Sequence, residues 1–289
     1  MAEAPPPTAV LRGHASEVTA VRFGPADGAG LPLLISAAAD GEVRVWNTRT
    51  HRSVASAAAH EKSVLTVHAL ADGKILSQGR DGAVRIWDSS SGLRAVYELG
   101  ADCYSFCQCV PSPSLRLGWS SNADASGSST VDSTGGAALP AAAAPDDAPR
   151  PASVAAGAFG SAPILATPSE DAQMILLWDL RQKGIAGVLR SDGATRTAST
   201  NLMAPRVGMC MCLRFVDPTV AGGESDVGNR ATDEGGAQTD GGAAVRLLSG
   251  WEDGTLKLFD LRSDLPVASR KLHTEPLLCV AVDPKVRDI

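Results

Sequence analysis

The stretch "LSQGRDGAVRIWD", Leu76 to Asp88, sets two short apolar runs on either side of Arg80-Asp81-Gly82. Alternation in steps of two marks both runs as strands, and an Asp-Gly between them marks a tight hairpin whose turn must visit positive φ. Two copies lie elsewhere: "LISAAADGEVRVWN" from Leu34 to Asn47 and "LLSGWEDGTLKLFD" from Leu247 to Asp260. Each has a Ser, an Asp-Gly four positions on, and an aromatic six positions after that Asp. The sets are Ser36, Asp40 and Trp46; Ser77, Asp81 and Trp87; and Ser249, Asp253 and Phe259. A looser copy, "ATPSEDAQMILLWDL", places Thr167 at the hydroxyl position and Asp171 seven residues before Trp178, with one extra residue in its turn.

Trp46 and Trp87 are 41 residues apart, so the repeating unit is about 40 residues long. A further strand-like run precedes each hairpin, as in "VTAVRFGP" (Val18 to Pro25) and "SVLTVHALADG" (Ser63 to Gly73). In the first two units that run follows a His in a short linker, His14 in "LRGH" and His60 in "AAAH". Two stretches interrupt the rhythm, residues 118–161 and 217–242, rich in Ala, Gly, Ser, Pro and Asp. They hold too little apolar surface to order themselves and read as disordered insertions between strands. The repeated module is expected to occupy residues 8–289.

The 289 residues are 44% hydrophobic and carry a formal net charge of −6. A chain of that length can bury a core, and an acid excess argues against a nucleic-acid groove, because binding the phosphate backbone needs surplus Lys and Arg. No run approaches the roughly 18 apolar residues of a membrane span. "MAEAPPPTAV" lacks the basic and apolar regions of a signal peptide, so the expected location is nucleus or cytoplasm, without membrane insertion.

Six cysteines fall as Cys103, Cys107 and Cys109, then Cys210 and Cys212, with Cys279 apart. "YSFCQCV" and "GMCMCLRF" alternate like strands, whereas zinc usually takes its pairs from a C-x-x-C knuckle. Buried, reduced thiols are the expectation, with no metal. No phosphate loop, HExxH, nucleophile elbow or dinucleotide fingerprint occurs, so neither a cofactor nor a small-molecule substrate is expected.

A unit of about 40 residues with Gly-His early, Ser and Asp-Gly in the middle and Trp-Asp at the end resembles the WD40 family of β-propellers. The resemblance implies an all-β fold of four-stranded blades, four recognisable here, with "KLHTEPLLCVAVDPK" starting a fifth. A seven-bladed ring needs roughly 280 ordered residues at about 40 per blade, so the expectation is a propeller cut short before closure, its strand edges open. The resemblance also implies buried tetrads of His, Ser, Asp and Trp: His14, Ser36, Asp40 and Trp46 in the first unit, His60, Ser77, Asp81 and Trp87 in the second. The third unit keeps Thr167, Asp171 and Trp178. The fourth keeps Ser249 and Asp253 but has Phe259, which lacks the indole N–H, and both of these units should be less tightly pinned.

More specific strings, "LSQGRDG", "SFCQC", "VGMCMCLRF", "SGWEDGTLKLFD" and "KLHTEPLLCVAVD", resemble the ASTRA-associated protein 1 family, also called G protein β-subunit-like protein 1. That resemblance implies a non-catalytic scaffold whose partners are other protein subunits, in an ASTRA-type assembly linked to chromatin remodelling or in a kinase-cochaperone complex. The alternatives are a signalling adaptor of the G protein β-like type, or a regulator of cell-to-cell transport as described for plant members. His14, Ser36 and Asp40 also suggest a hydrolase triad, but the tetrad accounts for the same residues and for the Trp as well. The position before the turn Asp tends to face the top of a propeller. Arg80 and Glu252 stand there with Trp251 beside the latter, and these three are the expected partner contacts, Arg and Trp being favoured interface anchors.

Overall fold

The computed structural model describes residues 9–26, 32–90, 92–101, 105–117, 163–171, 173–182, 184–191, 208–216 and 245–282. The two expected insertions, 118–161 and 217–242, and Cys103 lie outside them. The described residues form four antiparallel sheets of four strands, each built from consecutive segments. The first holds β1 (Val18–Ala26), β2 (Pro32–Ala38), β3 (Glu42–Asn47) and β4 (Arg52–Ala58). The second holds β5 (Val64–Ala69), β6 (Lys74–Gly79), β7 (Ala83–Asp88) and β8 (Arg94–Gly100). β9 (Val110–Pro111), β10 (Ile164–Pro168), β11 (Met174–Asp179) and β12 (Gly184–Arg190) make the third. The fourth is β13 (Cys210–Val216), β14 (Arg246–Trp251), β15 (Thr255–Asp260) and β16 (Pro266–Lys271). A five-residue helix, α1 (Pro113–Leu117), stands where no helix is expected. Its Pro113 has no N–H to leave unpaired in a first turn, and Ser112 Oγ accepts from Leu115 N at 3.4 Å.

The sheets are blades stacked face to face. Ile35, Val43 and Val45 of the first blade pack on Val64, Val67, Ile75 and Trp87 of the second. Leu76, Val84 and Ile86, on the opposite face of the second blade, pack on Leu165 and Trp178 of the third. Ile164, Ile175 and Leu177 meet Leu213, Phe215, Leu247 and Phe259. A central blade therefore buries both faces, which is why its middle strands read as nearly continuous apolar runs. The first blade's outer face carries exposed Val18, Val21 and Phe23. Among the described residues no sheet draws strands from both ends of the chain, so the four blades they form are an open section of a ring.

The hairpin turns explain the Asp-Gly signal. Between β2 and β3 lie Ala39, Asp40 and Gly41, with Gly41 N donating to Ala38 O at 3.2 Å and Gly41 at φ 86°. Asp40 itself is not at positive φ, so this is a three-residue loop ending in a left-handed glycine rather than a two-residue turn. Gly82 (φ 84°) and Gly254 (φ 82°) repeat it. Each turn Asp accepts at Oδ1 from the amide two residues on: Glu42, Ala83, Gln173 and Thr255 at 2.9 to 3.2 Å. An aspartate clamps its own turn in this way.

The glycines also join the blades. Gly41 O accepts from Ala59 N and His60 N, and Gly254 O accepts from Leu272 N and His273 N. A Cβ on Gly41 would collide with the carbonyl of His60. His273 thus opens a fifth unit as His60 opens the second. Leu277 N then bonds Trp251 O at 3.1 Å, although residues 273–282 form no strand.

Candidate functional site

The second blade contains a closed polar chain. Trp87 Nε1 donates to Ser77 Oγ at 2.9 Å, Ser77 Oγ lies 2.8 Å from His60 Nε2, and His60 Nδ1 lies 3.0 Å from Asp81 Oδ1. One tautomer satisfies every group: neutral His60 donates from Nδ1 to the carboxylate and accepts the serine proton at Nε2. Arg85 Nη1 adds a bond to Asp81 Oδ2 at 3.0 Å and another to Ala59 O at 2.9 Å, and Nη2 reaches Glu98 at 2.9 Å. Burial lowers the pKa of His60, outweighing the neighbouring Asp81. Burial pushes Asp81 up, but the imidazole, the Ala83 amide and Arg85 overcome that and hold it below the usual carboxylate range. Ser77 is completely buried. A hydroxyl with no solvent access and two ring partners is a structural pin rather than a nucleophile.

The first blade differs. His14 Nε2 meets Ser36 Oγ at 2.6 Å and Trp46 Nε1 donates to it at 2.7 Å. The expected bond from Asp40 is missing: His14 Nδ1 is buried without a hydrogen bond, 3.4 Å from Glu42 Oε2. The tetrad assigned to His14, Ser36, Asp40 and Trp46 is therefore a triad here. The physical reason lies with Arg44, which grips Glu42 at 2.8 Å, whereas its counterpart Arg85 grips the turn Asp. In the third blade Trp178 Nε1 bonds Thr167 Oγ1 at 2.9 Å, so the extra turn residue leaves the pair intact.

The fourth blade has exchanged its parts. Ser249 Oγ accepts the indole N–H of Trp251 at 2.8 Å, while Phe259 fills the apolar place of the usual Trp. Trp251 corresponds to Gly79, where a Cβ would strike the His60 ring. The linker before β13 has no His, so an indole takes the space and one of the bonds that His60 has in blade two. Lys257 lies 4.7 Å over that indole and donates to Ser191 O at 2.8 Å. Trp251 has no exposed surface and packs in the core between blades three and four. Its assignment as a partner contact is corrected: an indole needed to satisfy Ser249 cannot face solvent.

Arg80 and Glu252 are exposed. Glu252 Oε2 accepts from Met209 N at 3.2 Å. Arg80 stacks its guanidinium 4.7 Å from the ring of Phe106, a phenyl group 66% exposed. The platform under this pair is held by two hydrogen bonds. Gln78 Nε2 donates to Cys107 O at 3.3 Å and its Oε1 accepts from Cys109 N at 2.7 Å, tying the Phe106 segment to β6. Sequence reasoning missed Phe106, although "YSFCQCV" shows an aromatic out of phase with its buried cysteines.

Cys107, Cys109, Cys210 and Cys212 are buried thiols, and Cys279 is exposed. Burial pushes the Cys212 thiol up to about 11. Cys107 Sγ and Cys210 Sγ are 3.9 Å apart across the interface between blades three and four.

Comparison with known proteins agrees with this geometry. The family described as "WD domain, G-beta repeat" matches residues 5–47 and 52–88. The chain is similar to guanine nucleotide-binding protein subunit beta-like protein 1 of Mus musculus, 35% identical over 36% of this chain and 33% of the relative. It is 35% identical to nuclear distribution protein PAC1 of Arthroderma otae over 36% of this chain and 24% of that one. ASTRA-associated protein 1 of Clavispora lusitaniae is 36% identical over 34% of this chain and 27% of its own length. The matches thus cover a third or less of each relative. Sheet topology, turn chemistry and the indole–hydroxyl pins all agree with the match: the first two units are WD40 repeats, and the four blades are an open section of a β-propeller.

Proposed function

We propose that the chain is a non-catalytic scaffold for protein–protein contact, acting as a subunit of an ASTRA-type assembly linked to chromatin remodelling and kinase-cochaperone maturation. The observation that carries the reading is the Arg80–Phe106 pair: an exposed cation–aromatic stack on a platform locked by Gln78. Burial of an aromatic and an arginine that are already ordered costs little side-chain entropy, the property of an interface hot spot. Relatives named ASTRA-associated protein 1 and guanine nucleotide-binding protein subunit beta-like protein 1 support the choice of assembly. The test is affinity purification of the tagged chain with mass spectrometry, run beside an Arg80→Ala/Phe106→Ala double variant. Recovery of ASTRA or kinase-cochaperone subunits, weakened in the double variant at unchanged Tm, is the expected result. Recovery of heterotrimeric G protein subunits instead, or undiminished recovery by the variant, contradicts it.

A further inference from the structure

The innermost strands carry a basic residue at one repeated position. Arg22 pairs with Ile35, His68 with Leu76 and Arg214 with Leu248, in each case the residue just before the blade hydroxyl. In the third blade the same position, opposite Ala166, is Val110. This rung lies toward the β1–β2 connection, away from the Asp-Gly turns, since Ala39 beside the first turn bonds back to Glu17 at the other end of β1. The three basic side chains, with Phe23 and Ala69, line a single hollow of about 210 Å³.

Among the described residues no carboxylate lines that hollow. Among the described residues neither Arg22 nor Arg214 has an acidic partner within ion-pair distance. One Arg22 nitrogen, Nη1, donates to Val21 O at 3.1 Å, leaving other guanidinium donors for a ligand. The His68 ring is anchored at the edge by its 3.1 Å bond from Nε2 to Cys109 O. Two guanidinium groups facing one hollow repel each other unless an anion lies between them. Their planar forks match the oxygen geometry of phosphate better than a point charge would. The hollow is smaller than a drug-sized site, so its occupant is small.

From this convergence we infer that the hollow between the inner strands of blades one, two and four is a binding site for a phosphate group carried by a small molecule, with Arg22 and Arg214 as the principal ligands. The phosphate source is either inorganic phosphate or a phosphate monoester on a small polar body, and the chemistry of recognition is shared.

Isothermal titration of the full 289-residue chain tests it, with inorganic phosphate and glucose 6-phosphate as probes and glucose and chloride as controls. Saturable binding of either phosphate is expected, and which of the two binds identifies the source. Arg22→Gln and Arg214→Gln should each weaken it roughly ten- to a hundredfold, the range for a lost charge-assisted contact. Arg22→Lys and Arg214→Lys, which keep the charge without the fork, should fall between wild type and Gln. Arg49→Gln, in the exposed β3–β4 turn, should change nothing. Absence of saturable binding by both phosphates overturns the inference. So does unaltered affinity in the Arg22→Gln/Arg214→Gln pair, whose folding is checked by circular dichroism.

Discussion

Replacing Asp81 by Ala removes the hub of the second blade's polar chain. The carboxylate receives His60 Nδ1 at 3.0 Å, Arg85 Nη1 at 3.0 Å, and the amides of Ala83 at 3.2 Å and Glu61 at 3.3 Å. Arg85 keeps Glu98 and Ala59 O, so its loss is partial. His60, whose side chain is wholly buried, loses the acceptor of its Nδ1–H and is left facing Arg85 Nη1, itself a donor, at 2.9 Å, so the ring must give up a bond or change tautomer, and that is the larger cost. A buried unsatisfied donor costs about 1–3 kcal/mol and a net charged hydrogen bond contributes about 1.5–3 kcal/mol. Because the two overlap, the expected total is about 3 kcal/mol. Asp81→Asn keeps an acceptor for His60 and loses mainly the attraction to Arg85, for about 1 kcal/mol. Urea unfolding followed by tryptophan fluorescence measures both, since Trp87 sits at the far end of the same chain. A double-mutant cycle with Ser77→Ala should show coupling, because both residues act through one imidazole. Loss below about 1 kcal/mol for Asp81→Ala, or additivity in the cycle, would refute the view of these residues as one unit.

Acid should weaken the fold in two stages. His60 has a pKa lowered by burial, so the unfolded chain takes up its proton first, and the stability from neutral His60 is full above about pH 6.5 and lost as pH falls through the lower folded value. Asp81 is lowered too, so its contribution is lost only as pH falls below the ordinary carboxylate range. His60→Gln should flatten the first stage in a series of thermal melts from pH 7.5 to 5. Trp251→Phe should cost about 2 kcal/mol, the sum of one buried hydrogen bond and a weakened Lys257 contact, with no loss of partner recovery; a neutral result in chemical denaturation would deny the indole its place in blade four. Among the five described cysteines, Cys279 should react with an aromatic disulfide reagent in the native protein, and the other four only on unfolding.

The hairpins were legible because their signals are local. Asp40, Asp81 and Asp253 clamp their own turns, and the glycines after them reach a backbone region closed to other residues. Blade order follows from repetition, since each unit needs a neighbour on which to bury Trp87 or Trp178. Partner choice inside the tetrads was less legible, because it depends on where a long side chain leans. Arg44 leans to Glu42 and Arg85 to Asp81 from the same strand position, and no spacing distinguishes them. Trp251 was misplaced for a different reason. Its position in the turn suggests solvent, yet donor accounting points inward: without a linker His and with Phe259 for Trp, Ser249 would lack a ring partner. Arg22, His68 and Arg214 meet through register across blades far apart in sequence, which no single unit reveals.

The scaffold reading stands or falls on whether a partner covers the Arg80–Phe106 platform. Hydrogen exchange with mass spectrometry, comparing the isolated chain with the chain in its purified assembly, measures this directly. Slowed exchange across Gly79–Gly82 and Ser105–Gln108, with the outer edge at β16 unchanged, is the predicted result. Identical exchange of those two segments in the free and assembled states would contradict it.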